Sequence, residues 1–229
     1  PSGVPPSAEP SPSGTPAPQP VAPPSPTPSP KPAPAPAPST GSGERVVFAV
    51  TDRALPLTGI RSVLMNVTNL WARSEKSGWR EIPLGGSKAF DLLELHQKGT
   101  TKLLRDTRLP SGTYTDVHVR LGAVTVIPNV GTAQAVRIIS PDLQFGGRFT
   151  VKSKDTAVVA FDFLLDKSLH ETTGGTYVFA PVIQYHSRND VIVEITGTQE
   201  VKVGGGSSSF TLDLGMDENG VLRSNYTLN

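Results

Sequence analysis

The sequence predicts an all-β protein: an antiparallel β-sandwich carried on an extended, Pro-rich N-terminal stalk. Three observations lead there. Of 23 prolines in 229 residues, 17 lie between Pro1 and Pro38, and the stretch up to Gly43 has no aromatic residue and two charges, Glu9 and Lys31. From Arg45 onward apolar residues recur with period two rather than 3.6, which is strand periodicity. About ten such stretches follow one another, separated by Gly, Pro, Asn or Asp, as in β-sandwiches. The expected organisation is a stalk over 1–43, a sandwich over 44–189, and further C-terminal strands over 190–229 packed on it.

In the stalk, Lys31-Pro32-Ala33-Pro34-Ala35-Pro36-Ala37-Pro38 is nearly strict Pro alternation. Each proline fixes its own φ and drives the preceding residue out of the helical region, so polyproline II or a disordered chain is expected. Few apolar side chains are available to offset the entropy of ordering. At ~3.1 Å per residue such a segment reaches on the order of 120 Å, a semi-rigid spacer. A ligand for aromatic grooves and a segment that orders only in a polymer are the competing readings. The Ser/Thr/Pro mixture also suits O-glycosylation. The chain starts at Pro1 without Met or signal peptide, so an export signal and a lipid anchor are expected upstream.

The strands follow in order. Val46–Thr51 is a β-branched run that stops at Asp52. Ile60–Trp71 alternates and passes through Arg73–Gly78 into Trp79–Ile82, a hairpin. Thr113–Leu121 places Val117, Val119 and Leu121 on one face and Asp116, His118 and Arg120 on the other, with Tyr114 out of register. Further strands are Arg137–Ile139, Gly147–Val151, Ala157–Leu165, Tyr177–Tyr185, Val191–Val203, Phe210–Leu214 and Val221–Leu228. Ala89–Glu94, Thr100–Leu104 and Asp166–His170 are read as single helical turns, the last capped by Asp166. Gly204–Ser209 reads as a flexible insert. Asp217-Glu218-Asn219-Gly220 reads as a hairpin turn, whose terminal strands complete the sandwich or pair with another subunit.

Composition excludes several classes. There is no Cys, hence no disulfide, thiolate metal site or Cys nucleophile. A formal net charge of +1 gives no electrostatic basis for nucleic-acid binding. No apolar run approaches the ~18 residues of a spanning helix.

Candidate site residues are few. Trp71 and Trp79 flank the Arg73–Gly78 loop and, if exposed, form a platform for sugar rings; packing within the sheet is the plainer reading. His96, His118, His170 and His186 form no His-x-x-x-His or His-Glu-x-x-His pattern. Asp116 and His118 share a solvated strand face, and His170 is read as capping carbonyls. Ser168 lies too near His170 and Asp166 in sequence for triad geometry. Asp162 alternates with Phe161 and Phe163 and is expected to point outward to solvent. A calcium role for it is the sharper reading, and the 217–220 turn does not match the calcium-loop template. Asn66 and Asn225 match the N-glycosylation acceptor pattern. No catalytic residue, metal site or cofactor is expected.

Three segments carry a resemblance. Val50-Thr51-Asp52 with Phe90-Asp91-Leu92-Leu93-Glu94-Leu95 is the first, and Leu109-Pro110-Ser111-Gly112-Thr113-Tyr114-Thr115 the second. The third is Phe161–His170 followed by Gly175–Ile183. In order and spacing they resemble the bacterial and archaeal family called domain of unknown function 4382, over roughly Val46 to Gln184. Asp52-Arg53-Ala54 stands where that family usually has Asp-Ala-Pro, and Ser153–Thr156 where a Gly-containing turn is common. The resemblance implies an exported, often lipoprotein-attached, transthyretin-like (prealbumin-like) sandwich, and it supplies no catalytic residues. The expected function is a non-enzymatic cell-surface or extracellular module for binding, adhesion or envelope structure. A filament or sheath subunit assembling by strand addition is the alternative, and a carbohydrate-binding module the lesser one. Partners are unspecified: the cell envelope, an extracellular polymer, or a second copy through edge strands.

Overall fold

The computed structural model describes Gly3 and residues 43–53, 57–86, 88–216 and 221–224. All of these but Gly3 belong to the unit of residues 32–229. Apart from Gly3 and Gly43 the stalk, with the 217–220 turn and Asn225, lies outside the described residues.

The first strands are β1 (Glu44–Thr51), β2 (Ile60–Ser74), β3 (Gly78–Glu81) and β4 (Lys88–Asp91), followed by the helix α1 (Leu92–Lys98). Then come β5 (Lys102–Leu109), β6 (Gly112–Pro128), β7 (Gln134–Ile138), β8 (Asp142–Phe145), β9 (Phe149–Val151) and β10 (Thr156–Phe163). A helical turn, α2 (Leu165–Ser168), leads to β11 (Leu169–Glu171) and β12 (Tyr177–Phe179). The chain closes with β13 (Ile183–Ile195), β14 (Val201–Met216) and β15 (Leu222–Ser224).

Two sheets form, as the periodicity predicts. One has the order β15-β14-β13-β10-β1-β5; the other runs β11-β12-β7-β6-β2-β3, with β4 beside β2 and β8 and β9 beside β6. The pairing is not wholly antiparallel: β1 runs parallel to β10, and β12 to β7. Their inner faces share one core, in which aromatic rings reach across the interface. Phe48 of β1 meets Phe149 of β9 edge-on at 5.9 Å, and Phe161 of β10 meets Phe145 of β8 at 6.4 Å.

The register puzzle around Tyr114 resolves as a β-bulge. Ser74 pairs with Tyr114 and Arg73 with Asp116, so Thr115 is the extra residue and Tyr114 turns inward with Val117. Tyr114 then stacks on Phe149 at 4.7 Å and donates its hydroxyl to the Pro110 carbonyl at 3.1 Å, closing the corner before β6.

Three local expectations are corrected. Thr100–Leu104 is not a helical turn: Lys102 opens β5, whose backbone pairs with β1. Ala89–Asp91 is strand, and only from Leu92 is the chain helical, with Asp91 as its cap. Asp166 lies inside α2 and does not cap it; the first N–H of α2, from Leu165, is met at 3.4 Å by Asp52 just after β1.

Gly204–Ser209 is not a flexible insert either. It is continuous strand in β14, paired with Arg188–Ile192. A register shift at Ser187/Arg188 and left-handed backbone at Asp190, Gly205 and Gly206 bend the β13–β14 ribbon sharply. Beyond the bend, residues 191–203 form an arm folded over the outer face of the six-stranded sheet. Val191 and Val201 bury Val47, Ala49, Leu103 and Val158 in a second apolar cluster. The tip is pinned by Leu103 N–H to the Gln199 carbonyl at 2.7 Å and Val201 N–H to the Thr101 carbonyl at 2.8 Å.

Candidate functional site

The outward face of β2 and β6 gathers the aromatic and charged residues singled out in the sequence. A bulge near Thr68 sets the phase so that Leu70 and Ala72 point into the core while Asn69, Trp71 and Arg73 point out. On β6 the same face carries Asp116, His118 and Arg120. Trp71 lies directly opposite His118, and Trp79 of β3 opposite Arg73. The Trp71 and His118 rings stack, with centroids 4.5 Å apart and planes inclined by 21°. Trp79 meets His118 edge-on at 6.4 Å and 76°. The two indoles therefore form a corner with His118 inside it, not a flat platform. Trp79 is the open wall, 42% exposed.

Charged groups rim this corner. Asp142 of β8 accepts a hydrogen bond from, or shares one with, His118 Nε2 at 3.0 Å and lies 3.7 Å from Arg120 Nε. Arg73 lies 3.8 Å from Asp116. Sequence reasoning found Trp71, Trp79 and the Asp116/His118 face separately. It missed that His118 joins them, because that depends on the β2–β6 register. Asp142 was missed altogether, since β8 is four residues long and carries no pattern of its own.

The segments that carry the family resemblance do other work: they tie strands together. Asp91 caps α1 and also accepts Ser62 Oγ at 2.6 Å and Val63 N–H at 3.2 Å. Ser168 is fully buried; its hydroxyl donates to the Leu164 carbonyl at 2.7 Å and accepts Val182 N–H at 2.9 Å. This occupies Ser168 structurally. His170 stands exposed in β11 opposite Val178 and does not cap a helix, which corrects that expectation. Asn66 is half-buried within β2, between β4 and β6.

Asp162 needs a larger correction. Alternation holds, with Phe161 and Phe163 in the core, but Asp162 is not in solvent: it is 0% exposed. One oxygen accepts Arg53 N–H at 2.9 Å, and the other has no hydrogen bond among the described residues, with Arg53 Nε 3.9 Å away. Burial raises its carboxyl above the ordinary value, against the opposing pull of Arg53 and His186. Burial likewise lowers the neighbouring His186 imidazole, which Asp162 partly offsets.

A raised carboxyl holds its proton more tightly in the folded state. Its stabilising contribution is full below the ordinary carboxyl value and is lost as pH rises through the raised one. Asp162→Asn is therefore expected to gain on the wild type as pH rises from about 3 to about 7 in urea melts. A stability difference that stays constant over that range contradicts this account.

Among the described residues no group of three or more His, Cys, Asp or Glu is placed to hold a metal ion, and no helix is long and apolar enough to cross a membrane. Two facing sheets around one core, with the exposed aromatic corner on an outer face, define an all-β domain with a candidate binding surface. The chain belongs to the family described as domain of unknown function DUF4382, whose model matches residues 44–181. The match ends just before β13, so the arm lies beyond it. No curated protein and no solved structure matches the chain.

Proposed function

We propose that the protein is an exported, non-enzymatic surface module in which a Pro-rich spacer presents a β-sandwich that binds carbohydrate at the Trp71–His118–Trp79 corner. Exposed Trp79, set steeply against the Trp71–His118 stack, is the observation that carries this reading. The C–H face of a sugar ring packs on the electron-rich indole face, and burying that face recovers apolar area now in water. Asp142, Arg120, Arg73 and Asp116 supply acceptors and donors for ring hydroxyls at the rim. Export and the spacer role rest on the composition of residues 1–43 and on what the family resemblance implies. The finer reading of the sandwich as transthyretin-like rests on that resemblance as well.

A glycan array probed with the full chain tests the binding. Wild-type protein is expected to retain a defined set of glycans, and Trp79→Ala to weaken them about tenfold or more while leaving the melting temperature near wild type. Trp71→Ala is expected to weaken binding too, by releasing His118 from its stack. A uniformly blank array, or full retention by Trp79→Ala, ends the carbohydrate reading.

A further inference from the structure

At the side of the sandwich, β4 and β5 border a cleft of about 560 Å³, reached also by Thr198 and Gln199 at the arm tip. That is within the range of small-molecule sites. Each bordering strand has a ladder on one side, β4 with β2 and β5 with β1. Phe90, Leu95, Leu103 and Leu104 form an apolar wall.

Three carboxylates and three cations also line the cleft, and the two sets are matched very differently. Asp91 accepts from Ser62, Val63 and Glu94 N–H. Glu94 is held by Lys98, and Asp106 by the Arg45 guanidinium at 2.9 Å. Of the cations, Lys102 donates to the Thr198 carbonyl at 2.8 Å. Arg105 and Lys88 have no hydrogen bond or ion pair among the described residues, and Arg105 Nε is buried without a partner. A buried donor left unmade costs free energy that a bound acceptor restores.

We propose that this cleft binds a small organic monoanion, its carboxylate on the Arg105 guanidinium with Lys88 nearby and its carbon body against Phe90 and Leu95. The planar guanidinium fork matches a carboxylate in geometry. Asp91, Glu94 and Asp106 line the same cleft, so it favours one negative charge over the two of a phosphate. The site shares no residue with the Trp71–His118–Trp79 corner and stands or falls independently of it.

Amide chemical-shift titrations of the full chain with benzoate, its neutral isostere benzamide, and inorganic phosphate provide the test. Benzoate is expected to give saturable shifts at Phe90, Leu103 and Arg105, and benzamide none. Arg105→Gln is expected to weaken benzoate about tenfold, the loss of one charge-assisted contact. No saturable benzoate shifts at these residues, or equal response to benzamide, overturns the site using wild-type protein alone. Undiminished benzoate binding by Arg105→Gln removes the role of Arg105. Tighter binding of phosphate than of benzoate overturns the monoanion assignment.

Discussion

Gly206→Ala is expected to destabilise the domain by roughly 2–3 kcal/mol and to loosen the arm before anything else. Gly206 sits at φ 72°, and a Cβ there would lie 2.3 Å from the Asn189 carbonyl oxygen and 2.5 Å from Val191 Cγ1. The first of these is backbone and cannot swing aside. Relief requires opening the bend, which withdraws Val191 and Val201 from Val47, Ala49 and Val158. Hydrogen exchange is the direct readout: amides of 191–203 lose protection while those of β6 keep theirs. Gly204→Ala is the matched control, because an added Cβ meets nothing within 4 Å there. Equal stability for both variants contradicts the bend as the arm's anchor.

Ser168→Ala is expected to cost about 2 kcal/mol, through a different mechanism. The variant leaves the Val182 N–H, at a residue 4% exposed, without its acceptor and the Leu164 carbonyl without a hydroxyl donor. Leu164 and Val182 are also joined directly, by Leu164 N–H to the Val182 carbonyl at 2.9 Å, and Ala180 N–H bonds to the Ser168 carbonyl at 2.8 Å. Ser168 is thus the pin between the end of β10 and the start of β13. Chemical denaturation measures the loss, and a wild-type midpoint for the variant would falsify that role.

Much of this fold is legible from pattern alone. The β2–β3 hairpin, the alternation in β6 and the paired Phe residues of β10 are all local signals. What was not legible depends on pairing across long sequence separations. Val46–Val50 is a continuous apolar run, not an alternating one, because the arm covers the outer face of β1 as the core covers the inner. Such runs mark strands buried on both sides, so the sequence held that clue without naming what does the covering. Asp162 was misplaced for a related reason: alternation tells which face a residue takes, not whether that face meets water. Thr100–Leu104 lacks a distinctive period, and its pairing with β1 decides it. In the candidate site, Trp71, Trp79 and His118 were visible as residue types, whereas their corner geometry arises from the β2–β6 register and its bulges.

The parallel pairing of β1 with β10 also bears on the order of events in folding. The first strand of the chain takes an interior place in its sheet, next to the edge strand β5, yet its partner Thr156–Phe163 emerges more than a hundred residues later along the chain. Until then β1 has only β5 to pair with, and Val47 and Ala49 on its outer face stay open to water until Val158 and the arm arrive. No N-terminal fragment ending before β10 holds the second ladder partner of β1, so the six-stranded sheet waits for β10 and then for β13 and β14. Closure of such distant contacts is slow. The interval before it leaves Val47 and Ala49 uncovered, an apolar surface exposed to aggregation during synthesis.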